Sequence, residues 1–330
     1  MLNRKFVFTY TLMLVLLFLS FLLSLTYSLN GISFFEAVNA LFNVGDANII
    51  IIIKDIRLTR VIIVCVTGAV LGASGCVFQA ILRNPLADPF TLGISGGAAL
   101  GTCVTFISGL AAAASLFVPL FSFVGAILSV FIVYAFGFKG KFNSNNIILS
   151  GVVVSYAFSS LVMLMLVLSQ FTNVQQSLMW LMGNFSTFDE RLMPAITIIS
   201  VVGLIILSLY GNTIDAISLG HEKFKTLGSN IKNNIKIMFL ITSLIVAAIV
   251  SICGVIGFVG LIIPHIMRIF VGPKATFLIP ASAIGGALFL LLCDTISKIL
   301  FLPVVIPPGI ITSILGGVFF VFLLLNQKRV

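Results

Sequence analysis

Long apolar runs, interrupted by short clusters of charge, proline, glycine and asparagine, make up most of the chain. Taking each run up to its interruption predicts helices near 6–29, 61–82, 92–109, 116–137, 146–169, 191–210, 235–252, 254–271, 277–297 and 308–325. Each is close to the roughly 20 mostly apolar residues needed to cross a bilayer. The expected fold is an all-α membrane protein, a polytopic bundle of about ten transmembrane helices forming one domain over residues 1–330. The first run follows Arg4 and Lys5 but is longer than a secretory h-region and lacks a clear small-x-small cleavage site, so it reads as a retained helix. Two connections are long. Segment 30–60 contains GISFFEAVNALF, whose apolar spacing suits a short interfacial helix, and segment 211–234 contains the polar, basic DAISLGHEKFKTLGSNIKNN.

Composition supports the membrane reading: 60% of the 330 residues are hydrophobic and only 8% are charged. The net charge of +9 is mainly a topology signal. With a cytoplasmic N-terminus, the inner side collects 13 of the 18 lysines and arginines and the outer side 5, namely Lys54, Arg57, Arg60, Arg191 and Lys298. Positive-inside therefore places both termini in the cytoplasm, and a nucleic-acid partner is rejected. The five cysteines lie inside apolar runs without ligand spacing and read as packing residues.

The chemistry expected of other transporter classes is missing. The nine acidic residues fall at or near span ends, so no buried carboxylate is expected to serve as a proton relay. No G-x-x-x-x-G-K-[ST] loop is present, so the chain is not expected to hydrolyse ATP or to be an enzyme. With two histidines and no carboxylate or cysteine at ligand spacing, no metal site is expected. Small residues stand out instead. Gly68, Gly72, Gly75 and Gln79 share one face of the second span, and Gly93, Gly96, Gly97 and Gly101 crowd the third, where close backbone approach supplies packing. In GVIGFVGLIIPHIMR, Gly254, Gly257 and Gly260 are expected on one face of the eighth span. Pro264 is expected to kink or break that helix near its inner end, with His265 as candidate partner for the freed carbonyl and Arg268 reaching the interface. In RNPLADP, which contains Asn84, Pro85 and Pro89 are expected to end the second span and start the turn to the third.

Several motifs occur in a diagnostic order: RLTR (57–60), GAVLGASGCVFQAILRNPLADPFTLGISGGAALG (68–101), WLMGNFS (180–186), LGHEKFKTLG (219–228), GVIGFVGLIIPHIMR (254–268), LIPASAIGGALFLLLCDTISK (278–298) and PPGIITSILGG (307–317). Together they resemble the FecCD-type permeases of bacterial ABC importers for iron-siderophore, haem and cobalamin. The resemblance implies a type II importer permease in the bacterial cytoplasmic membrane. It also implies partners: a second permease, either a copy or a paralogue, two cytoplasmic ATPases that bind the ATP and magnesium, and an extracytoplasmic substrate-binding protein. This chain is expected to hold no cofactor.

By the same resemblance, Arg57, Arg60 and Lys298 match outer-face cations that pair with glutamates of the binding protein, which guanidinium forks suit. Leu219, Gly220, His221, Glu222, Lys223, Lys225 and Gly228 match the cytoplasmic element that couples to the ATPase. Four positions depart from the family pattern: Thr59 and Val318 replace prolines, Lys298 an arginine and Val305 a glutamate. The rival expectation is an ion-coupled secondary transporter of another small solute, using backbone carbonyls for sodium.

Overall fold

The computed structural model describes residues 4–26, 32–138, 143–185, 190–218, 231–300 and 304–326. Every predicted apolar run carries a helix, and no strand occurs among the described residues. α1 (Arg4–Thr26) is followed by the short helices α2 (Phe34–Leu41) and α3 (Ala47–Ile51). A π-helical turn (Ile52–Leu58) then runs directly into α4 (Thr59–Leu82). After these come α5 (Ile94–Ile107), α6 (Leu110–Ala113), α7 (Phe117–Gly137), α8 (Ser144–Val167) and α9 (Phe171–Leu181). The chain continues through α10 (Met193–Leu209), α11 (Gly211–Ser218), α12 (Ile231–Cys253), α13 (Val259–Val271), α14 (Ala275–Ile299) and α15 (Pro308–Asn326).

Among the described residues, six helical stretches are long and apolar enough to cross a membrane alone, and α10 with α11 qualifies as a pair bent by 52°. The remaining three are shorter: α5, α13 and the first sixteen residues of α15, Pro308–Leu323. The ten predicted runs are thus in place, but α5 and α13 use part of their apolar sequence as non-helical backbone. That backbone is tolerated at depth because protein, not lipid, surrounds it. Ile94 and Val259, the first residues of the two helices, are both buried.

α4 forms the axis of the bundle. In Ala47–Leu82 78% of the apolar window is buried inside the protein, against 17% in α1, so α1 lies at the periphery of the bundle and α4 among the other helices. α4 packs on α14, α13, α12 and α10, and α5 packs on α7 and α8. Both groups are closed by small residues. A methyl at Gly68 would strike the Gly286 carbonyl and one at Gly72 the Ser282 carbonyl, so α4 and α14 touch backbone to backbone. Gly97 and Gly101 do the same against Gly125 and Phe121 of α7. Gly93 is not on the helical face of α5: it caps the helix at φ +83°, a conformation glycine adopts without steric cost.

The outer segment carries its expected short helix. Ser33 accepts from the Glu36 amide while the Glu36 carboxylate accepts from the Ser33 amide at 2.8 Å, a reciprocal cap for α2. Phe35 and Phe42 beside it are about three-quarters exposed, as suits rings entering a lipid interface.

Candidate functional site

Two polar constellations sit at opposite ends of α4. At its start, Arg60 donates through Nε and Nη2 to the Asp294 carboxylate on α14, the shortest contact being 2.8 Å. Lys298, one turn beyond Asp294 on the same helix, reaches the other carboxylate oxygen at 2.6 Å. Asp294 is fully buried, whereas its two partners keep 14% and 24% of their side-chain surface. The expectation that no carboxylate is buried is therefore corrected: Asp294 lies inside the protein, where two cationic side chains occupy its oxygens. Arg57 lies one turn earlier, in the π-helical segment, and donates to the Leu25 carbonyl at 2.7 Å. Thr59 opens α4 directly after this segment, and its hydroxyl donates to the Lys54 carbonyl.

Near the far end of α4, Gln79 joins two groups of α13. Its amide nitrogen donates to the Gly260 carbonyl at 3.1 Å, and its amide oxygen accepts from Arg268 Nη2 at 2.6 Å. Pro264 explains the first bond. A proline lacks the amide that would close the i→i−4 bond, so it leaves the Gly260 carbonyl open. Gln79, not His265, is the partner that closes it. His265 instead packs edge-on against Phe319, with ring centroids 5.7 Å apart. Gly75, one turn before Gln79, admits this approach, because a methyl there would collide with Gly260.

Gln79→Leu should therefore cost about 1–3 kcal/mol, the penalty for orphaning a buried acceptor and a half-buried cation. Adding Pro264→Ala returns an amide to the Gly260 carbonyl, so the leucine should cost less in that background. A double-mutant cycle on thermal unfolding in detergent measures this, and strict additivity would refute the assignment.

The break in the eighth span also differs from expectation. Pro264 lies inside α13, and the helix is interrupted earlier, at residues 254–258. Gly254 and Gly257 are in that interruption, so only Gly260 of the three glycines sits on the helix. Gly254, at φ +72°, faces the Trp180 carbonyl so closely that no side chain fits. Phe258 caps α13 with φ +68°, a left-handed conformation unusual for an aromatic residue, and its ring packs on Gly316 of α15.

The RNPLADP turn closes back towards this break. Arg83, at φ 50°, ends α4, and the Asn84 side chain accepts from the Leu86 amide at 2.8 Å. It is the left-handed Arg83, ahead of Pro85, that terminates the helix. A cavity of about 580 Å³ lies between the turn, the 254–258 break, the end of α9 and the start of α15. Its lining is apolar apart from Asp88, Thr91 and Ser313.

Asp88 is the second buried carboxylate missed from sequence, and it accepts from the Thr91 amide at 2.8 Å. Burial pushes its carboxyl up to about 6, against the Thr91 bonds that favour the charged form. A raised folded-state value means that the folded protein holds this proton more tightly than the unfolded chain does. The linked stability is full below about pH 4 and lost as pH rises through about 6, a difference of about 3 kcal/mol. Thermal unfolding of native protein and Asp88→Asn, compared between pH 4 and pH 8, should show this loss only with aspartate present.

The coupling residues Leu219, Gly220, His221, Glu222, Lys223, Lys225 and Gly228 lie outside the described residues. The element leading to them, α11, is described and well anchored. Asp215 accepts from the Ala275 amide and from the Thr276 amide and hydroxyl, the last at 2.8 Å. Arg83 donates to the Ile217 carbonyl. No group of three or more histidines, cysteines or acids that could hold a metal occurs among the described residues.

The sequence profile of the FecCD transport family matches residues 16–326. The hemin transport system permease protein of Yersinia pestis is 32% identical, aligned over 84% of this chain and 83% of that protein. The cobalamin import system permease protein of Halobacterium salinarum is 34% identical over 84% of this chain and 74% of its own length. Among solved structures, one described as an inward-facing conformation of a metal-chelate type ABC transporter superposes with a TM-score of 0.84. It shares 26% identity and covers 97% of this chain and 99% of its own.

Proposed function

Because the chain belongs to the FecCD transport family, we propose that it is the membrane-spanning permease of an ATP-driven importer for a metal chelate: an iron-siderophore, haem or a corrinoid. The family match across nearly the whole chain carries this reading, and the hemin and cobalamin permeases among its relatives suggest the cargo class. The fuel is burned elsewhere, by two ATPase subunits that bind ATP and magnesium on the cytoplasmic side. A second permease, identical or paralogous, completes the pathway, and an extracytoplasmic binding protein delivers the cargo. The membrane is the bacterial cytoplasmic one, with both termini inside and the Arg60 end of α4 outside.

Docking of the binding protein falls to Arg57, Arg60 and Lys298. One buried carboxylate against two cations leaves this cluster positive, and Arg57 adds a further charge. The Arg57 guanidinium is partly buried: Nη1 donates to the Leu25 carbonyl, and Nη2, itself covered, finds no hydrogen-bond partner among the described residues, so meeting a carboxylate requires this side chain to turn outward. Arg57→Glu should weaken capture of the binding protein by about tenfold, and the native affinity should fall with salt as exposed pairs are screened. Unchanged capture would remove the arginine from the docking surface. The importer reading is tested in sealed liposomes. Uptake should require ATP, the ATPase and the binding protein together, whereas accumulation by this chain alone on an ion gradient would establish the secondary-transporter rival.

A further inference from the structure

Helices α4 and α14 are fastened to each other at one end and through the middle, and at the other end both are tied to α11. At the Arg60 end the fastening is the Arg60–Asp294–Lys298 cluster. Through the middle, Gly68 faces Gly286 and Gly72 faces Ser282, so backbone meets backbone with no side chain between to change rotamer. Moving one helix along the other would need a jump of a whole turn, about 5.4 Å, not a small adjustment.

At the opposite end both helices are tied to α11. Asp215 takes the amides of Ala275 and Thr276, which are otherwise orphan donors at the start of α14, and a carboxylate there also suits the helix dipole. Gly211 lies against Thr276 with no room for a side chain, and Arg83 at the end of α4 holds the Ile217 carbonyl. α11 diverges from α10 by 52°, so its contacts to this helix pair are not a continuation of the α10 axis.

We infer that Asp215 is a positioning residue that fastens the coupling region to α14, and that α4 and α14 move as one strut carrying its displacement to the outer charged cluster. The inference rests on the reading of residues 211–234 as the coupling segment. A movement imposed at α11 enters the strut through charge-assisted bonds at its inner end. It leaves at Arg60 and Lys298, where the binding protein docks. Asp215 and Asp294 thus do matching work at the two ends: each is a carboxylate that joins its own helix to another.

The test uses the complete transporter, permease with its ATPase and binding protein, in liposomes. Its first readout is the ratio of ATP hydrolysis with and without the binding protein. Asp215→Ala should lower this ratio by about tenfold, within the usual range of coupling between distant sites, and Asp215→Asn, which keeps one acceptor oxygen, should restore part of it. A purely structural role would lower the yield of protein and leave the ratio alone.

The second readout does not depend on that variant folding. Gly72 of α4 meets the Ser282 backbone of α14 and Cys76 follows Gly72 by one turn on the same face, so Ser282→Cys places a second thiol on the facing helix for a disulfide between α14 and α4. With cross-linking confirmed by mass spectrometry, oxidised and reduced samples of one preparation should show the same stimulation. Loss of stimulation on oxidation, regained with reductant, would mean that the helices slide past each other and would overturn the strut. A native ratio in Asp215→Ala would overturn the role of Asp215. If the native permease fails to retain the ATPase on co-purification, the coupling reading itself fails and takes this inference with it.

Discussion

Asp294→Ala is expected to cost the protein about 3–5 kcal/mol, among the largest losses from any single side chain. The reason is what it leaves behind. Asp294 is fully buried, and Arg60 and Lys298, each mostly covered, converge on it from two helices. Removing the carboxylate strands two cations in low dielectric and releases the end of α4 from α14. Removing all three charges should do far less harm, because an apolar replacement of similar volume carries no desolvation penalty. The triple variant Arg60→Met, Asp294→Leu, Lys298→Met should therefore regain most of the stability lost by Asp294→Ala. Capture of the binding protein should nevertheless stay low in the triple variant, which separates folding from docking. Thermal unfolding in detergent reads the first and co-purification reads the second. A single Asp294→Ala as stable as the native chain would show that the cluster is not a fastening.

Gly75→Leu should be comparably severe. The position faces the Gly260 backbone, and even the first carbon of a side chain would overlap its carbonyl group. Backbone cannot swing aside as a side chain can, so α13 must separate from α4. The bonds of Gln79 to the Gly260 carbonyl and to Arg268 go with it. Overpacking alone costs about 1–3 kcal/mol, and the orphaned polar groups add a similar amount. Gly96→Ala is the control. Its nearest neighbours across the helix interface, on Phe158 and Ser155, stand at 3.5 and 3.6 Å, an ordinary contact distance. There alanine should be neutral or stabilising by up to about 1 kcal/mol, since it is the better helix former. Expression and melting temperature in one detergent compare the two. If both glycines respond alike, the close approach at Gly75 is not what constrains it.

The contrast shows what was legible in the sequence. The glycines of the second span announce a close contact by their spacing, and their partners on α13 and α14 are glycine and serine, also conspicuous in the text. Spacing alone does not say which glycine touches which, nor that Gly96 touches nothing closely. The eighth span shows the limit more sharply. Its three glycines have helical spacing, yet two of them serve the interruption before α13, because the run must give up helix where Gly254 passes the Trp180 carbonyl. That constraint comes from a segment some seventy residues away and leaves no local signal.

Polar partners were legible only in part. Pro264 names in advance the carbonyl it frees, four residues earlier, but not the side chain that answers it. Gln79 lies on another helix and was read as a packing-face residue. Asp294 was assigned by distance from the end of its span, which measures depth in the bilayer and not burial within the protein. Its spacing to Lys298, one helical turn, was the available clue. The helices themselves lie in every expected run because hydropathy reports the need to satisfy backbone polar groups in lipid. The shortness of α5 and α13 was not, because that need is met there by neighbouring chain.

The π-helical turn at 52–58 bears on how this chain tolerates length changes. An α-helix rotates about 100° for every residue, so a wide turn holds one residue more than the surrounding spiral would use. Deleting a single residue there would let the spiral close normally and leave α4 as it is. The segments on either side would stay in phase, so α2 and α3 would keep their azimuth around the bundle. A one-codon deletion in this short stretch would therefore leave the exposed phenylalanines of α2 where they are, whereas the same deletion inside α4 would turn one part of that helix by about 100° against the other.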